Sequence, residues 1–307
     1  MSTKPEEMTG GSAVLPDDAV TPETLAEKGR RLPDWIRGRI PSGQKYQNVR
    51  SLVSDQNLHT VCEEAHCPNL GECWSRGTAT FMILGDICTR ACSFCAVKTG
   101  RPTELDLDEP RRVGDSVKSM SLRHAVITSV NRDELLDGGA SVWADTVRQI
   151  RAKSPGTTIE LLIPDCLGRR EALQVIFDER PEILNHNLET VPRLYRSVRP
   201  SAVYGRSLNV LAWAKEDGLA TKSGLMLGLG ETLDEVRDVM HDLRAVNCDI
   251  ITLGQYLRPS EKHHPVVRFV RPEEFDQLRE DGLAMGFKHV QSVPLVCSSY
   301  YPEEQSD

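Results

Sequence analysis

Apolar runs alternate with amphipathic stretches over most of the chain after residue 79. Six short runs, rich in apolar and β-branched residues, predict buried strands at 80–84, 124–130, 157–163, 182–187, 221–227 and 249–255. Stretches with helical spacing lie between them, at 108–122, 139–153, 169–177, 207–217 and 231–246. Strands that alternate with helices in this way predict an α/β domain with a parallel sheet.

Polar side chains follow several of the predicted strands. Asn131, Arg132 and Asp133 come directly after the second strand, Asn185 and Asn187 end the fourth, and Glu231 follows the fifth. A parallel sheet with helical crossovers either stays open or closes into a barrel, and in both forms ligands bind at the carboxyl ends of the strands. These residues therefore predict a ligand site at that edge of the sheet.

The two ends of the chain differ from this regular part. Residues 1–30 are rich in Pro, Glu, Thr, Gly and Ser, which predicts a mobile tail. We expect residues 31–79 to form an N-terminal extension laid on the main domain, which spans residues 80–290. Residues 291–307 then form a C-terminal segment.

Charge and hydropathy exclude several classes of partner. The net charge of −8 disfavours non-specific binding to nucleic acid or to an anionic membrane surface. No apolar run approaches the ~20 residues that a membrane-spanning helix needs, and no secretory signal is evident. The sequence predicts a soluble, cytoplasmic protein.

The cysteines predict metal centres. Six of the nine lie in two triplets, Cys62-x4-Cys67-x5-Cys73 and Cys88-x3-Cys92-x2-Cys95. Their clustering and odd number disfavour a disulfide framework. A structural zinc site takes four ligands, whereas each triplet leaves one coordination position unfilled. An iron–sulfur cluster in which one iron lacks a protein thiolate has such a position, where a small molecule binds directly.

The second triplet resembles the radical S-adenosylmethionine superfamily, whose members hold a [4Fe–4S] cluster on three such cysteines. Phe94, the aromatic before the last cysteine, also fits that pattern. The stretch from Gly224 to Glu231 is similar to the superfamily's G-x-I-x-G-x-x-E motif, with Met226 in the isoleucine place and Gly228 as the second glycine. Taken alone, this stretch is equally typical of a tight strand-to-helix turn.

The first triplet and its surroundings are similar to the lipoyl synthase family. The resemblance covers roughly residues 32–301 and includes the stretches 60–65, 67–70, 77–85, 185–189, 221–226 and 253–257. In that family the first triplet holds an auxiliary [4Fe–4S] cluster, and a serine near the C-terminus binds its fourth iron. Here that serine would be Ser299, or alternatively Ser298.

The resemblance implies a partial (β/α)6 barrel with N-terminal and C-terminal extensions that cover its opening. It also implies a reaction: sulfur insertion at C6 and C8 of an octanoyl chain on a lysine, with the auxiliary cluster as sulfur donor. Two [4Fe–4S] clusters serve this reaction, and two molecules of S-adenosylmethionine are consumed per lipoyl group. Cys88, Cys92, Cys95 and Ser299 would carry the catalysis.

Partners follow from the same resemblance. The substrates would be octanoylated carrier proteins, namely the lipoyl domains of 2-oxoacid dehydrogenases and the H protein of glycine cleavage. An electron donor such as flavodoxin or ferredoxin and an iron–sulfur carrier would be needed as well. Cofactor contacts would come from ten residues: Phe94, Asn131, Arg132, Asp133, Asn185, Asn187, Gly224, Met226, Gly228 and Glu231. For Asn131 to Asp133, loop capping is an equally good interpretation.

Two positions depart from the family pattern. Cys297 stands where the terminal motif begins with arginine, and Ala96 stands where aspartate is common. The Cys297 thiol either packs as a small side chain or competes with serine for the labile iron.

Two other functions compete with the leading one. They are another two-cluster radical enzyme, of methylthiotransferase type, and a non-catalytic iron–sulfur or zinc protein.

Overall fold

The elements alternate between strand and helix from residue 80 onward. The computed structural model describes residues 15, 18–36, 59–60 and 80–296. In order, the elements are α1 Pro22–Glu27, β1 His59–Thr60, β2 Thr80–Ile83, β3 Ile87–Cys88, β4 Lys98–Thr99, α2 Glu109–Ser119, β5 His124–Ser129, α3 Ala140–Lys153, β6 Thr158–Leu162, α4 Arg170–Phe177, β7 Ile183–Asn185, α5 Tyr195–Val198, α6 Tyr204–Glu216, β8 Thr221–Leu227, α7 Leu233–Ala245, β9 Ile250–Gln255, α8 Pro272–Ala284 and β10 His289–Ser292. Short 3-10 turns lie at Cys166–Gly168 and Pro192–Leu194.

The main sheet has eight strands in the order β1-β2-β5-β6-β7-β8-β9-β10. All neighbours from β2 to β10 pair in parallel, and β1 pairs with β2 in the antiparallel sense. The parallel strands lie side by side in chain order, as they do in a (β/α) barrel that stays open between its first and last strands. The predicted α/β fold is confirmed.

All six predicted strands are present, with ends that differ by one or two residues, and β10 extends the sheet as a seventh parallel strand. The sequence prediction omits β10 because three of its four residues are partly exposed and its polar residues resemble those of a loop. It also omits α8, whose buried side comprises only Phe275, Leu278 and Gly282. Burial against β9 and β10, rather than local pattern, stabilises both elements.

Helices cover one face of the sheet, and the apolar side chains between helices and sheet form two clusters. Phe81, Ile127 and Leu161 pack against Trp143 and Ile150 of α3. Leu225, Leu227 and Ile251, on later strands, pack in a second cluster with Val236 and Met240 of α7. Because successive strand side chains point to opposite faces, the residues between these apolar positions line the other face, which is the interior of the partial barrel.

That interior contains a buried ion pair. Lys222 of β8 and Glu160 of β6 are both fully buried, and Lys222 Nζ lies 3.1 Å from one carboxylate oxygen and 3.2 Å from the other. Asn185 Nδ2 donates to Glu160 Oε1 at 2.8 Å, and His124 Nε2 lies 3.8 Å from Glu160 Oε2. Burial alone raises the pKa of the Glu160 carboxyl, but the Lys222 ammonium and the groups beside it lower that pKa below its ordinary value.

Part of the N-terminal region packs on the far edge of the sheet. Thr21 and Thr24 form a capping box that begins α1. Leu25 and Ile36 are buried against Phe269, and Leu295 packs on the same cluster. Residues 18–30 thus include an ordered helix within the predicted tail, while residues 1–14 lie outside the described residues. Among the described helices, none is both long and apolar enough to cross a membrane.

Candidate active site

The second cysteine triplet lies in the loop that follows β2, at the carboxyl edge of the sheet. Within this loop β3 and β4 pair in parallel, and Gly100 N donates to Cys88 O at 2.9 Å. Cys95 N donates to Cys92 O at 3.1 Å, so Cys92 and Cys95 sit in one tight turn. The three cysteines have free, half-buried thiols.

Burial affects two of these thiols. Burial raises the pKa of the Cys95 thiol to about 12, with Cys92 and Cys88 adding to the effect. Burial also raises the pKa of Cys92, against the opposing effect of Arg199. A metal that binds Cys92 and Cys95 must therefore displace their protons against this shift. Asn131 N donates to Cys88 Sγ at 3.3 Å, a contact of the kind that orients metal ligands.

Three thiols on one short loop are compatible with a multi-iron cluster. Within residues 80–296 and the shorter described segments, no three His, Cys, Asp or Glu side chains converge to hold one metal ion. In a four-iron cluster each cysteine binds a different iron, so three ligands need not meet at one point. The three free, partly exposed thiols on one short loop therefore fit a [4Fe–4S] group.

Backbone contacts hold the loop on its C-terminal side. Ser93 N donates to Val198 O at 2.9 Å, and Ser93 O accepts from His264 N at 2.8 Å. His263 Nε2 lies 3.1 Å from Cys95 O. His264 Nε2 in turn lies 3.0 Å from Leu229 O, on the glycine-rich turn after β8. The cysteine loop and that turn are therefore joined through one histidine.

The predicted contacts after β5 have distinct environments. Asn131 lies against Cys88, and its Oδ1 atom is buried without a hydrogen-bond partner. Arg132 is 4% exposed, and its guanidinium donates to Leu84 O and to Glu104 O, both at 3.0 Å. Asp133 binds Arg90 through both carboxylate oxygens. Asn131 thus lies nearest the thiols, while Arg132 secures the loop after β2, and contact of either with a cofactor stays a prediction.

The stretch after β7 brings an additional carboxylate to the site. Asn185 is fully buried on Glu160, and Asn187 Nδ2 donates to Glu189 Oε1 at 3.1 Å. Glu189 has φ +66°, is half-buried, and lies close enough to Cys92 and Cys95 to contribute to their raised pKa values. The sequence prediction assigns Glu189 no role, although a non-glycine residue in a left-handed conformation often marks a functional position.

The glycine-rich turn after β8 is stabilised from within. Glu231 Oε1 accepts from Gly228 N at 2.6 Å, and Glu231 Oε2 accepts from Leu229 N at 2.9 Å. Helix α7 begins two residues later, after the N-cap Thr232. Glu231 thus satisfies two backbone donors of the turn and lies before the N-cap, so the predicted strand-to-helix turn is present but Glu231 is not in the first helical turn. Met226 and Phe94 are half-buried on the adjacent apolar cluster.

Gly228→Ala tests how closely this turn is packed. Gly228 has φ +96°, and an added Cβ would meet Gln255 Nε2 at 2.3 Å and Arg268 O at 2.5 Å. We expect a loss of about 2 kcal/mol or more in the free energy of unfolding. Gly218→Ala is the matched control, because Gly218 has φ +83° and its nearest neighbour lies at 3.6 Å. Equal losses in urea titrations of the two variants would show that steric crowding at Gly228 is unimportant.

Family models and relatives agree on the class of this fold and site. Residues 82–243 match the radical SAM superfamily, and residues 18–67 match the N-terminal domain of lipoyl synthase. Among solved structures, methylornithine synthase aligns with a TM-score of 0.53 at 14% identity, covering 85% of this chain and 88% of that one. Streptococcus suis SuiB bound to S-adenosylmethionine aligns with a TM-score of 0.54 at 11% identity, covering 76% and 56%. The chain is a radical S-adenosylmethionine protein.

Relatives with much higher identity define the family within that class. Lipoyl synthase of Rubrobacter xylanophilus is 58% identical over 92% of this chain and 88% of its own length. Lipoyl synthases of Mycobacterium avium and Chlorobaculum parvum are 56% and 55% identical; they cover 88% of this chain each, and 88% and 94% of their own lengths. The chain belongs to the lipoyl synthase family. Membership in the superfamily implies S-adenosylmethionine and a [4Fe–4S] cluster.

Proposed function

We propose that this protein inserts sulfur at C6 and C8 of an octanoyl chain that is attached by an amide bond to a lysine of a carrier protein. The main observation behind this proposal is the Cys88–Cys95 loop. Its three free thiols lie at the carboxyl edge of a parallel sheet, and Asn131 contacts one of the sulfurs. The high identity to lipoyl synthases from several bacteria supports this reaction. The protein would accordingly be a sulfurtransferase.

In this proposal Cys88, Cys92 and Cys95 hold the radical-generating cluster. When bound, that cluster and S-adenosylmethionine supply a 5'-deoxyadenosyl radical, which removes hydrogen from carbons that no acid or base could activate. Asn131, Asn187 and Glu189 would orient the cofactor. Phe94 and Met226, half-buried on the apolar cluster beside this loop, would exclude water from the reactive space.

A second cluster would be the sulfur source. Its proposed ligands are Cys62, Cys67, Cys73 and Ser299, or Ser298 instead of Ser299, and all lie outside the described residues. Residues that flank these ligands along the chain are described. Thr60 pairs with β2 at one edge of the sheet, while Leu295 packs beside Ile36 beyond the other edge. A serine alkoxide binds a thiophilic iron less firmly than a thiolate does, which suits a cluster that gives up sulfide.

The proposed division of the chain follows from these roles. Residues 31–79 and 291–307 would carry the sulfur-donor ligands over the opening, and residues 80–290 would carry the radical chemistry. Octanoylated lipoyl domains or the glycine cleavage H protein would present the substrate at this edge. A small electron-transfer protein such as flavodoxin or ferredoxin would reduce the radical cluster, and an iron–sulfur carrier would rebuild the other one.

Anaerobic incubation with reductant, S-adenosylmethionine and an octanoyl-lysine peptide tests this function. We expect the peptide to gain two sulfurs as a dithiol, because under reducing conditions a thiol replaces one hydrogen at each of the two carbons; mass spectrometry detects this product. About eight irons per chain are expected before turnover. Cofactor cleavage without sulfur gain would assign a different radical reaction, and zinc without sulfide would exclude radical chemistry.

Three variants refine the same experiment. Ser299→Ala should still cleave S-adenosylmethionine but form little lipoyl product, whereas Ser298→Ala should retain product formation. Cys297→Arg restores the residue common in the family. A higher yield of product from Cys297→Arg than from the parent would support competition by the thiol, and equal yields would exclude it.

A further inference from the structure

Arg90 occupies the middle of the cysteine loop and is almost completely buried. Its side chain is 4% exposed, although it lies between Cys88 and Cys92 on a loop with half-buried neighbours. Arg90 Nε and Nη2 donate to the two carboxylate oxygens of Asp133 at 2.7 and 2.8 Å. Nη2 also donates to Asp165 Oδ1 at 2.5 Å. One guanidinium therefore binds two carboxylates, and one of them in the bidentate geometry that suits arginine.

The two carboxylates belong to different parts of the sheet. Asp133 follows β5 and Asp165 follows β6, so the Arg90 contacts connect the loop after β2 to the ends of the next two strands. Asp165 is 1% exposed and also accepts from Leu167 N at 3.1 Å and from Arg206 Nη1 at 3.2 Å. Asp165 is therefore fixed independently of Arg90. Such a rigid acceptor is a suitable anchor for a loop.

Thr89 extends the same attachment along the backbone. Thr89 N and Oγ1 donate to Asn131 O at 3.0 and 3.1 Å, and Asp133 N donates to Thr89 Oγ1 at 3.2 Å. Because Asn131 N also donates to Cys88 Sγ, this side of the loop is tied to residues 131–133 at the sulfur, the backbone and the guanidinium. The contacts fix the path of the chain between the first two cysteines.

The charges of this group are balanced. Arg90 and Arg206 supply two positive charges, and Asp133 and Asp165 supply two negative ones. The group adds no net charge near the thiols, which argues against a main role in attracting anions or in setting a reduction potential. A buried, hydrogen-bonded ion pair contributes little net stability, and fixing one geometry is among its attested uses.

We propose that Arg90 is a positioning residue, which holds the cysteine loop on Asp133 and Asp165 so that the three thiols are arranged to receive and retain the radical cluster. The inference requires only that Cys88, Cys92 and Cys95 bind the radical cluster, so it remains valid if the reaction is not sulfur insertion. Lysine is a poor substitute, because its single ammonium group does not reproduce the fork that binds both carboxylates.

The retention of iron tests this role in the full-length chain. Replacing Cys62, Cys67 and Cys73 by alanine leaves the second triplet as the remaining one, so that iron release reports its cluster. In this background Arg90→Met is expected to lose iron to a ferrous chelator about tenfold faster than the parent, a change typical of outer contacts to metal ligands. Asp165→Asn should approach that rate, and Asp133→Asn, whose side chain is 27% exposed, should change it less.

Two further measurements separate positioning from general stability. Arg90→Lys should restore part of the retention. Arg90 and Asp165 belong to the same group of contacts. The double variant, Arg90→Met with Asp165→Asn, should therefore release iron no faster than the faster of the two single variants. The electron paramagnetic resonance signal of the reduced parent should change when S-adenosylmethionine binds, and in Arg90→Met that change should be weaker or spread over several forms.

Two matched variants serve as controls. Arg237→Met removes an arginine of α7 that binds Asp234 of the same helix and Asp281 of α8, and it should leave iron release unchanged. Val147→Ala lowers stability from the buried core. The proposal is overturned if Arg90→Met releases iron within twofold of the parent rate, or if Val147→Ala releases it as fast as Arg90→Met at an equal loss of melting temperature. Should Arg90→Met not fold, Asp165→Asn, which should approach its rate of iron release, provides the same comparison.

Discussion

Replacing Cys88 by alanine is expected to abolish reductive cleavage of S-adenosylmethionine. With two thiols left, two irons of a four-iron group would lack protein ligands, and the cluster would not be retained. Cys88 is also the cysteine that accepts the hydrogen bond from Asn131 N, so its loss removes an oriented ligand. The measurement is the amount of 5'-deoxyadenosine formed with a strong chemical reductant, and we expect it to fall to the background without enzyme.

Cys166 and Cys248 provide matched controls for this prediction. Both are free and buried outside the triplets. Burial raises the pKa of each thiol to about 12, as it does for Cys95. Cys166→Ala and Cys248→Ala should therefore retain iron and cofactor cleavage, with at most a modest loss of stability. If Cys88→Ala still formed 5'-deoxyadenosine above background, the radical cluster could not depend on this triplet.

Lys222→Met is expected to destabilise the fold by about 3–5 kcal/mol, because it leaves the Glu160 carboxylate buried without its cation. Both side chains are fully buried in the barrel interior, so solvent does not compensate for the loss. The free energy of unfolding from urea titration of the full-length chain is the measurement. A double variant, Lys222→Met with Glu160→Gln, should recover much of the loss, since it removes the uncompensated charge.

The pH dependence of Lys222→Met gives a second test. In the parent the pKa of Glu160 is lowered, so its contribution to stability is present above the unfolded pKa and is lost as the pH falls through the folded value. Without Lys222, burial dominates and should raise that pKa instead. The variant should then bury a neutral carboxyl at low pH, and the gap in stability between parent and variant should narrow as the pH falls through this raised pKa toward the unfolded value. A gap that stays constant from pH 4 to pH 8 would contradict this account of the ion pair.

Local sequence pattern predicts the sheet well because apolar periodicity follows burial on the helix-covered face. It fails at β10 and α8, where the pattern is weak and contacts with β9 and the preceding elements decide the structure. The strand at 221–227 was predicted despite the charge of Lys222. Nothing in its own stretch indicates that this charge pairs with Glu160, which lies 62 residues earlier.

The candidate site shows the same division. Cys88, Cys92 and Cys95 were predicted because metal-ligand spacing within one loop is a local property, and the structure places that loop at the carboxyl edge of the sheet. Glu189 was not assigned a role, because the placement that lets it raise the pKa of Cys92 depends on its bridge to Leu225 of β8, which no local pattern indicates. The motif from Gly224 to Glu231 was predicted as a unit, and the structure adds that Glu231 binds the turn itself.

The sequence by itself determined the superfamily, the spacing of both cysteine triplets and the alternation that produces a parallel sheet, since each depends on residues that are close together along the chain. Tertiary structure alone decided which distant charges meet. Arg90 contacts Asp133 and Asp165, respectively 43 and 75 residues later, only because parallel pairing brings the ends of β5 and β6 beside the loop after β2. Side-chain contacts between strand ends follow from the order and register of the strands in the sheet, and local sequence pattern does not predict them.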